Sequence, residues 1–404
     1  METPSESGNC ARRESSARDL SGAGNLYAMP ELPEVETIAR DLRGLVERAR
    51  IVSAEGNWPK TIRNGSFDEF AAAIADREIE GIGRRGKQLL VWLGPKPETG
   101  AAGSGSAAPD SGPAVMTIHL KMTGQLFVVS PATARDVHVH LILGLADGRE
   151  IRFRDIRKFG RIGLYPRDPA TGEPIEGSAP GVLARGPEPL ADEFTARRFG
   201  ALLARRRGRL KSLLLNQDFV AGVGNIYADE ALWRARLHPL RDAATLRPAD
   251  ARRLHQALRD VLAEAVERRG SSVDDYTAPE GDGSMQEHLA VYQRSGEPCL
   301  RCSRPIRRIV VGGRATHFCS WCQRLPRGVA APLASGPALS PSGPGPSASD
   351  PGRRRGPRWT ELDGERVLGR TAIEEERARR AAARLKATTA ATTRRETARA
   401  GGRS

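Results

Sequence analysis

The chain reads as an α+β protein built in several pieces: a helix-led β region, a helical region and a cysteine-bound hairpin. Three observations carry this. Val35, Ile38, Leu42, Leu45 and Val46 recur at helical spacing just after a Pro- and Glu-rich start. Leu254, Leu258, Val261, Leu262 and Ala265 mark one face of an amphipathic helix over residues 252–268. Cys299-x-x-Cys302 and Cys319-x-x-Cys322, with sixteen residues between the pairs, have the spacing of a four-thiolate zinc site.

The elements follow in order. Residues 1–29 form a leader rich in Ser, Gly, Ala and Arg, without periodicity, expected to be disordered or not translated. The first helix has Pro33 in its first turn and Glu34 and Glu36 at the positive end of its dipole. Strand-like runs follow at Val115 to Met122, His138 to Leu143 and Ile151 to Phe153. Between strands, residues 95–113 are Gly-, Ser-, Ala- and Pro-rich and read as a flexible loop insertion. From about residue 190 the pattern turns helical, with Leu202, Leu203, Leu210, Leu213 and Leu214 leading into a glycine-rich turn. A further helix is expected over residues 228–235. Beyond residue 326, Pro, Ser and Gly replace the apolar residues and disorder is expected, although residues 372–386 suit a charged helix with no core to bury.

At 404 residues there is room for two or three domains. The formal charge of +14 and pI near 10.2 point to a polyanionic partner, most simply nucleic acid. The Arg-rich last fifty residues inflate that total, but Arg205-Arg206-Arg207-Gly208-Arg209-Leu210-Lys211 is basic too. No apolar run approaches a membrane span, and the leader lacks the apolar block of a secretory signal. A cytosolic protein is the default expectation.

Four stretches carry chemistry. Met29-Pro30-Glu31-Leu32-Pro33-Glu34-Val35-Glu36 reads like a beginning, yet 28 residues precede it. A terminal Pro30 would be a secondary amine titrating near about 8, against about 10.4 for a lysine. Such an amine attacks a sugar aldehyde carbon and gives a cationic iminium that favours elimination. By spacing alone, however, the octet is a plain helix start. The four cysteines leave no open coordination position, so their zinc would be structural; paired disulfides are the rival, disfavoured in a cytosol. Between the pairs lie Arg307, Arg308, Arg314 and His317, a basic hairpin suited to phosphate. Val220-Ala221-Gly222-Val223-Gly224-Asn225-Ile226 lets backbone amides converge on an anion, or is a simple turn. Asp155-Ile156-Arg157-Lys158-Phe159-Gly160 sets a basic pair beside an aromatic that either wedges into a base stack or packs in a hairpin core.

Together these residues resemble the formamidopyrimidine-DNA glycosylase family, from Pro30 to about Gln323. The likeness includes Pro-Glu-Leu-Pro-Glu-Val-Glu-Thr, Gly83-Arg84-Arg85-Gly86-Lys87, His119-Leu120-Lys121-Met122-Thr123-Gly124, Asp155 to Gly160, Gly222 to Ala228 and the cysteine hairpin. Leu32 and Val35 look like the oxidised-purine branch and not the endonuclease VIII branch. The resemblance implies an N-terminal two-sheet β-sandwich with a leading helix (30–165), a helix–two-turn–helix domain with a lesion lid (188–295), a zinc-finger hairpin (296–325) and a basic tail (326–404). DNA is expected between the halves.

It also implies roles. Pro30, as the mature N-terminus, would attack C1′ of the damaged nucleoside, which requires translation from Met29 and loss of that Met. Glu31 matches the proton-transfer acid, although a helix-start acid fits it too. Lys87 matches the lysine that assists β-elimination, with a phosphate contact as the close rival. Arg314 matches the zinc-hairpin arginine linked to δ-elimination. Met122, Arg157 and Phe159 match the trio that fills the hole left by an everted base. His138, Lys158, Arg206, Lys211 and Asn225 match DNA-backbone contacts, and Ser271 to Gln286 the lid. The implied protein is a bifunctional glycosylase and abasic-site lyase acting on oxidised purines in double-stranded DNA. It would carry one structural Zn²⁺ and no catalytic metal or redox cofactor, and a monomer is the default. The rivals are an oxidised-pyrimidine glycosylase and, if the leader is retained, a noncatalytic lesion binder.

Overall fold

The computed structural model describes residues 29–97, 111–271, 283–325, 359–362 and 365–368. The first element is helix α1 (Leu32–Val46), capped by a box in which Glu34 accepts the Glu31 N–H. Strand β1 (Ile51–Gly56) follows, then helix α2 (Phe67–Ile74), which starts from a Ser66/Glu69 capping box. Seven strands come next: β2 (Ile79–Arg85), β3 (Gln88–Leu93), β4 (Ala114–His119), β5 (Gly124–Val129), β6 (Val139–Leu145), β7 (Glu150–Asp155) and β8 (Arg161–Pro166).

They form two antiparallel four-stranded sheets, in the orders β1-β6-β7-β5 and β2-β3-β4-β8. The three strand-like runs read from sequence fall on β4, β6 and β7. One apolar core lies between the sheets. Ile82, Leu89, Val91, Met116 and Ile162 come from one sheet, and Leu126, Leu141, Leu143, Ile151 and Phe153 from the other. Strand β3 reads as a continuous apolar run because its second face is covered too. Leu90 and Trp92 pack there with Val115, Tyr165, Val182 and Leu183.

Helix α1 closes this sandwich with Val35, Ile38, Ala39, Leu42 and Val46. Its first residue does something else. Leu32 belongs to a second core, made by helices α3 (Ala196–Ala204), α4 (Leu210–Leu214), α5 (Asn225–Arg234) and α6 (Pro248–Glu267). α1 therefore straddles both lobes. α5 begins at Asn225, three residues before the expected start, because Gly224 already serves as its N-cap. α6 begins at Pro248, where a proline suits the first turn. Strands β9 (Arg307–Val311) and β10 (Arg314–Phe318) form a hairpin turned by Gly312 and Gly313, both at positive φ.

As a separate unit, strands β11 (Trp359–Leu362) and β12 (Glu365–Leu368) pair antiparallel. The expectation for the tail did not include this pairing, although alternating β-formers around Asp363-Gly364 are consistent with it. Leader residues 1–28, most of the 95–113 insertion, residues 272–282 of the lid segment and the rest of the tail, including 372–386, lie outside the described residues.

The joint between the lobes is tight. The Leu32 N–H donates to the Gly222 carbonyl at 3.0 Å. Gly222 has φ +81, and a Cβ there would sit 2.7 Å from Leu32 Cβ. Gly222→Ala should therefore destabilise the chain by roughly 2–4 kcal/mol, read as a lowered denaturant midpoint, whereas Gly44→Ala, which would meet nothing within 4 Å, should not.

Candidate active site

The site is built where α1, the β2–β3 turn and α5 meet. The buried Glu31 carboxyl reaches the start of α5, accepting from Ile226 N–H at 2.8 Å and more weakly from Tyr227 N–H at 3.4 Å. Helix N-terminal amides favour an anion there. Lys87 comes in from the β2–β3 turn. That turn is fixed from the other lobe: Glu188 accepts from Arg84 at 2.8 Å, from Arg85 at 2.9 Å and from Gly86 N–H at 2.5 Å. Gly224 is the floor between them. A Cβ on it would lie 2.3 Å from Glu31 Cδ and 2.5 Å from Lys87 Nζ.

Burial dominates the electrostatics. It pushes the Glu31 carboxyl up from 4.5 to about 7; nearby Lys87 opposes this and Glu34 adds to it. Burial likewise lowers the Lys87 ammonium, with Glu31 and Glu34 opposing. An acid balanced near neutrality thus sits beside an amine made easier to deprotonate, a pairing suited to proton transfer. Glu34 is tied down separately. It accepts from Tyr227 Oη at 2.5 Å and from Ser271 N–H and Oγ at 2.9 and 3.1 Å.

These groups open onto a cleft of about 600 Å³ whose lining includes Met29, Met122, Arg157, Gln217, Asn225 and Arg314. Pro30, the next residue after Met29 in the chain, is buried. His119 also lines the cleft; burial lowers its pKa to about 3, and its Nδ1 accepts the Lys121 N–H at 3.1 Å.

On one rim stands the loop after β7. Buried Asp155 holds it, accepting from Thr123 Oγ1 at 2.5 Å, Arg157 N–H at 3.2 Å and Gly160 N–H at 2.6 Å. Lys158 takes a left-handed backbone at φ 58. Phe159 stays 47% exposed, with the Arg157 guanidinium 5.1 Å from its ring centre. The sequence left Phe159 open between wedge and core, and it is not in the core.

On the other rim lies the zinc hairpin. Asn225 Nδ2 donates to the Ala315 carbonyl at 3.0 Å, and Asp229 accepts the His317 N–H at 2.8 Å. The sulfurs of Cys299, Cys302, Cys319 and Cys322 lie within 4.8 Å of one another, with pairs at 3.5 and 4.0 Å. Tetrahedral zinc with bonds of about 2.3 Å needs sulfurs roughly 3.8 Å apart. The cluster fits one structural zinc, which would rigidify the strands that present Arg314.

The sequence matches known proteins along this whole arrangement. Residues 29–162 match the formamidopyrimidine-DNA glycosylase N-terminal domain, residues 185–277 its H2TH domain, and residues 296–325 the zinc finger found in FPG and IleRS. The formamidopyrimidine-DNA glycosylase of Chloroflexus aurantiacus is 46% identical over 297 residues, 73% of this chain and 98% of that protein. That of Symbiobacterium thermophilum is 44% identical over 303 residues, 75% and 92% of the two chains. The chain belongs to the formamidopyrimidine-DNA glycosylase family. The Lactococcus lactis Fpg in complex with DNA containing an abasic site superposes with a TM-score of 0.63 at 33% identity, over 73% of this chain and all of that one. The MutM (FPG) protein of Thermus thermophilus gives 0.60 at 42% identity, over 73% and 98%.

Within this glycosylase architecture, Glu31, Lys87, Met122, Arg157, Asn225 and Arg314 line one cleft, whereas Pro30 is not among its lining residues. Phe159 and Lys158 stand on its rim loop, and Lys158 Nζ lies 4.3 Å over the Trp58 ring. His138 is half-buried and its N–H donates to Asp136 at 2.8 Å. Arg206 is exposed between α3 and α4. Lys211 departs from expectation. It is fully buried, with Nζ 2.7 Å from Asp229 and 2.8 Å from the Asn225 carbonyl, so an outward phosphate contact does not fit it.

Sequence reasoning missed Glu34 as a link to Tyr227 and Ser271, and missed His119, Asp229 and Glu230. Glu230 accepts three consecutive N–H groups, Ala290 to Tyr292, at 2.8–2.9 Å. A capping-box reading would have found the Glu34 bond to Glu31, but nothing local marks its partners 193 and 237 residues away.

The raised Glu31 pKa has a signed consequence. Its stabilising share is fully present below about 4.5, where both states bind the proton, and is lost as pH rises to about 7. Glu31→Gln should thus match the parent in thermal stability near pH 4 and exceed it above pH 7, by up to about 3 kcal/mol. Parallel pH profiles of the two melting curves would refute the assignment.

Proposed function

We propose that the chain is a bifunctional DNA glycosylase and abasic-site lyase that removes oxidised purines, such as 8-oxoguanine and ring-opened formamidopyrimidines, from double-stranded DNA. The observation that carries the reading is the Glu31–Gly224–Lys87 junction: a near-neutral acid and a softened ammonium packed on a helix N-terminus beside Pro30. With Pro30 as a free secondary amine, its nitrogen lone pair forms the bond to C1′. The C1′–base electron pair leaves with the base, which takes a proton. Opening of the sugar breaks C1′–O4′, the oxygen accepts a proton from Glu31, and a cationic iminium remains on Pro30. Loss of a C2′ proton then expels the 3′ phosphate, and a second elimination expels the 5′ phosphate. Lys87 and Arg314 line the same cleft and supply positive charge for the departing phosphates.

The target must leave the stack, which costs a few kcal/mol. Met122 and Phe159 suit the vacated space, and Arg157 suits the orphaned partner base. The exposure of Phe159 on a braced loop supports that role. Leu32 and Val35, both buried, favour the purine branch over the pyrimidine branch by their likeness to it. A mutant of the Lactococcus lactis Fpg has also been described in complex with DNA containing Fapy-dG, at 34% identity and a TM-score of 0.63.

Pro30 is an amide nitrogen whenever Met29 is attached. Protein beginning at Pro30 should form a borohydride-trapped adduct with a duplex carrying 8-oxoguanine, and the same protein retaining Met29 should form none. Trapping through a residue other than Pro30 would sink the mechanism. Faster excision of thymine glycol than of 8-oxoguanine would transfer the protein to the pyrimidine branch.

A further inference from the structure

Outside the cleft, the zinc hairpin carries a second cationic feature. Trp321, between the last two cysteines, is 49% exposed. The Arg304 guanidinium carbon lies 3.3 Å from the centre of its ring, and that of Arg324 lies 3.4 Å away. Two guanidinium groups at those distances would overlap on one face, so they cover opposite faces. Both arginines are exposed, and Arg324 Nε donates to the Trp321 carbonyl at 3.1 Å.

The charge around this stack is one-sided. Between Gly296 and Leu325 the chain has six arginines and a single acid, Glu297, which pairs with Arg294 at 3.0 Å. Among the described residues no carboxylate pairs with Arg304 or Arg324. Two like charges are thus held across one ring with no carboxylate of the described residues paired to either. A guanidinium lying flat on an indole keeps its in-plane N–H fork turned outward, free to take phosphate oxygens in pairs. Because stacking already orders the fork, little further side-chain freedom is lost when an anion arrives. A polyanion relieves the repulsion between the two arginines, and a neutral or cationic partner does not.

We propose that the Arg304–Trp321–Arg324 stack is a separate phosphate-backbone site, which grips the duplex beyond the lesion cleft. The inference rests on the DNA glycosylase reading. Trp321 follows three residues after β10, the strand whose first residue, Arg314, lines the cleft. Trp321 is seven residues beyond Arg314, so at about 3.3 Å per extended residue the stack lies at most roughly 23 Å from it. At about 3.4 Å of rise per phosphate along each strand, the contact falls within about seven base pairs of the everted nucleotide.

The test is the salt dependence of equilibrium binding by the full chain to duplexes carrying a stable abasic-site analogue. Each neutralised phosphate contributes about 0.9 to the slope of log affinity against log salt. On a duplex extending well past the lesion on both sides, Arg304→Gln with Arg324→Gln should reduce the slope by roughly 1.8. On duplexes shortened stepwise from about seven base pairs toward the lesion, the difference between the parent and double-variant slopes should disappear once the duplex no longer reaches the stack. Arg304→Lys with Arg324→Lys keeps both charges and should keep the long-duplex slope, which guards against a folding defect in the glutamine pair. Bound zinc, measured by release with a thiol reagent, should be the same in all three proteins. A parental slope for the glutamine pair on the long duplex overturns this proposal alone. Failure of the parent itself to prefer the lesion duplex overturns the glycosylase reading with it.

Discussion

The seat of the Glu31 carboxyl on the first amides of α5 is the interaction on which the rest of the structure depends. It joins the start of α1 to the helical lobe, and it does so within reach of the lysine from the β2–β3 turn. Two forces act on that carboxyl in opposite directions. The aligned amides of a helix start, and Lys87, favour the ionised form. Burial and the neighbouring Glu34 favour the neutral one. The result near 7 leaves the proton close to balance at neutral pH, where transfer in either direction is cheapest. Only a glycine at position 224 makes the arrangement possible, since any side chain there would occupy the space of the Glu31 carboxyl and the Lys87 ammonium.

α5 extends this role beyond its first turn. Asn225 and Asp229, four residues apart, project from one face and both meet the zinc hairpin. Asp229 also neutralises the buried Lys211. Removing one member of such a pair strands the other charge, at a cost of about 3–5 kcal/mol. Glu230, the next residue, takes the three amides that lead from residue 290 to the cleft-lining Tyr292. Amides, lysine and carboxylates around this one helix thus fix both walls of the cleft. The sandwich wall is held in turn from the other lobe by the Glu188 bonds to Arg84, Arg85 and Gly86.

Much of this was legible in the sequence, for physical reasons that differ by residue. The cysteine spacing was legible because tetrahedral thiolate ligation demands it. The inner face of α1 was legible because helical period and burial coincide from Val35 to Val46. Leu32 lies outside that stripe because it packs in the other lobe's core, and no periodicity reports a helix serving two cores. Lys211 was misread because it ends an Arg-rich run that looks solvated. Its place in α4 turns it inward, between Leu210 and Ser212, onto Asp229. Glu34 looked like a helix-dipole acid, which it partly is; its bonds to Tyr227 and Ser271 exist only after the lobes meet. The Ser66/Glu69 capping box of α2 was readable and went unread.

The loop after β7 holds apolar side chains in water at a cost that the free protein does not recover, which is consistent with the wedge role proposed for Phe159. An exposed phenylalanine forgoes the hydrophobic gain of burial, of about 25 cal/mol for each Å² left in water. Here Phe159 remains 47% exposed and nearby Ile156 39%. The surrounding backbone is nonetheless tightly specified, by three donors on Asp155 and by a glycine whose Cβ would lie 2.4 Å from the Phe153 ring. A floppy loop would hide its aromatic against the nearest apolar surface and would have to be ordered again on binding, which weakens association. A braced loop cannot hide it. The apolar surface left in water therefore becomes a driving force released only when the ring is covered, and a gap opened in a base stack is a cover of the right shape and polarity.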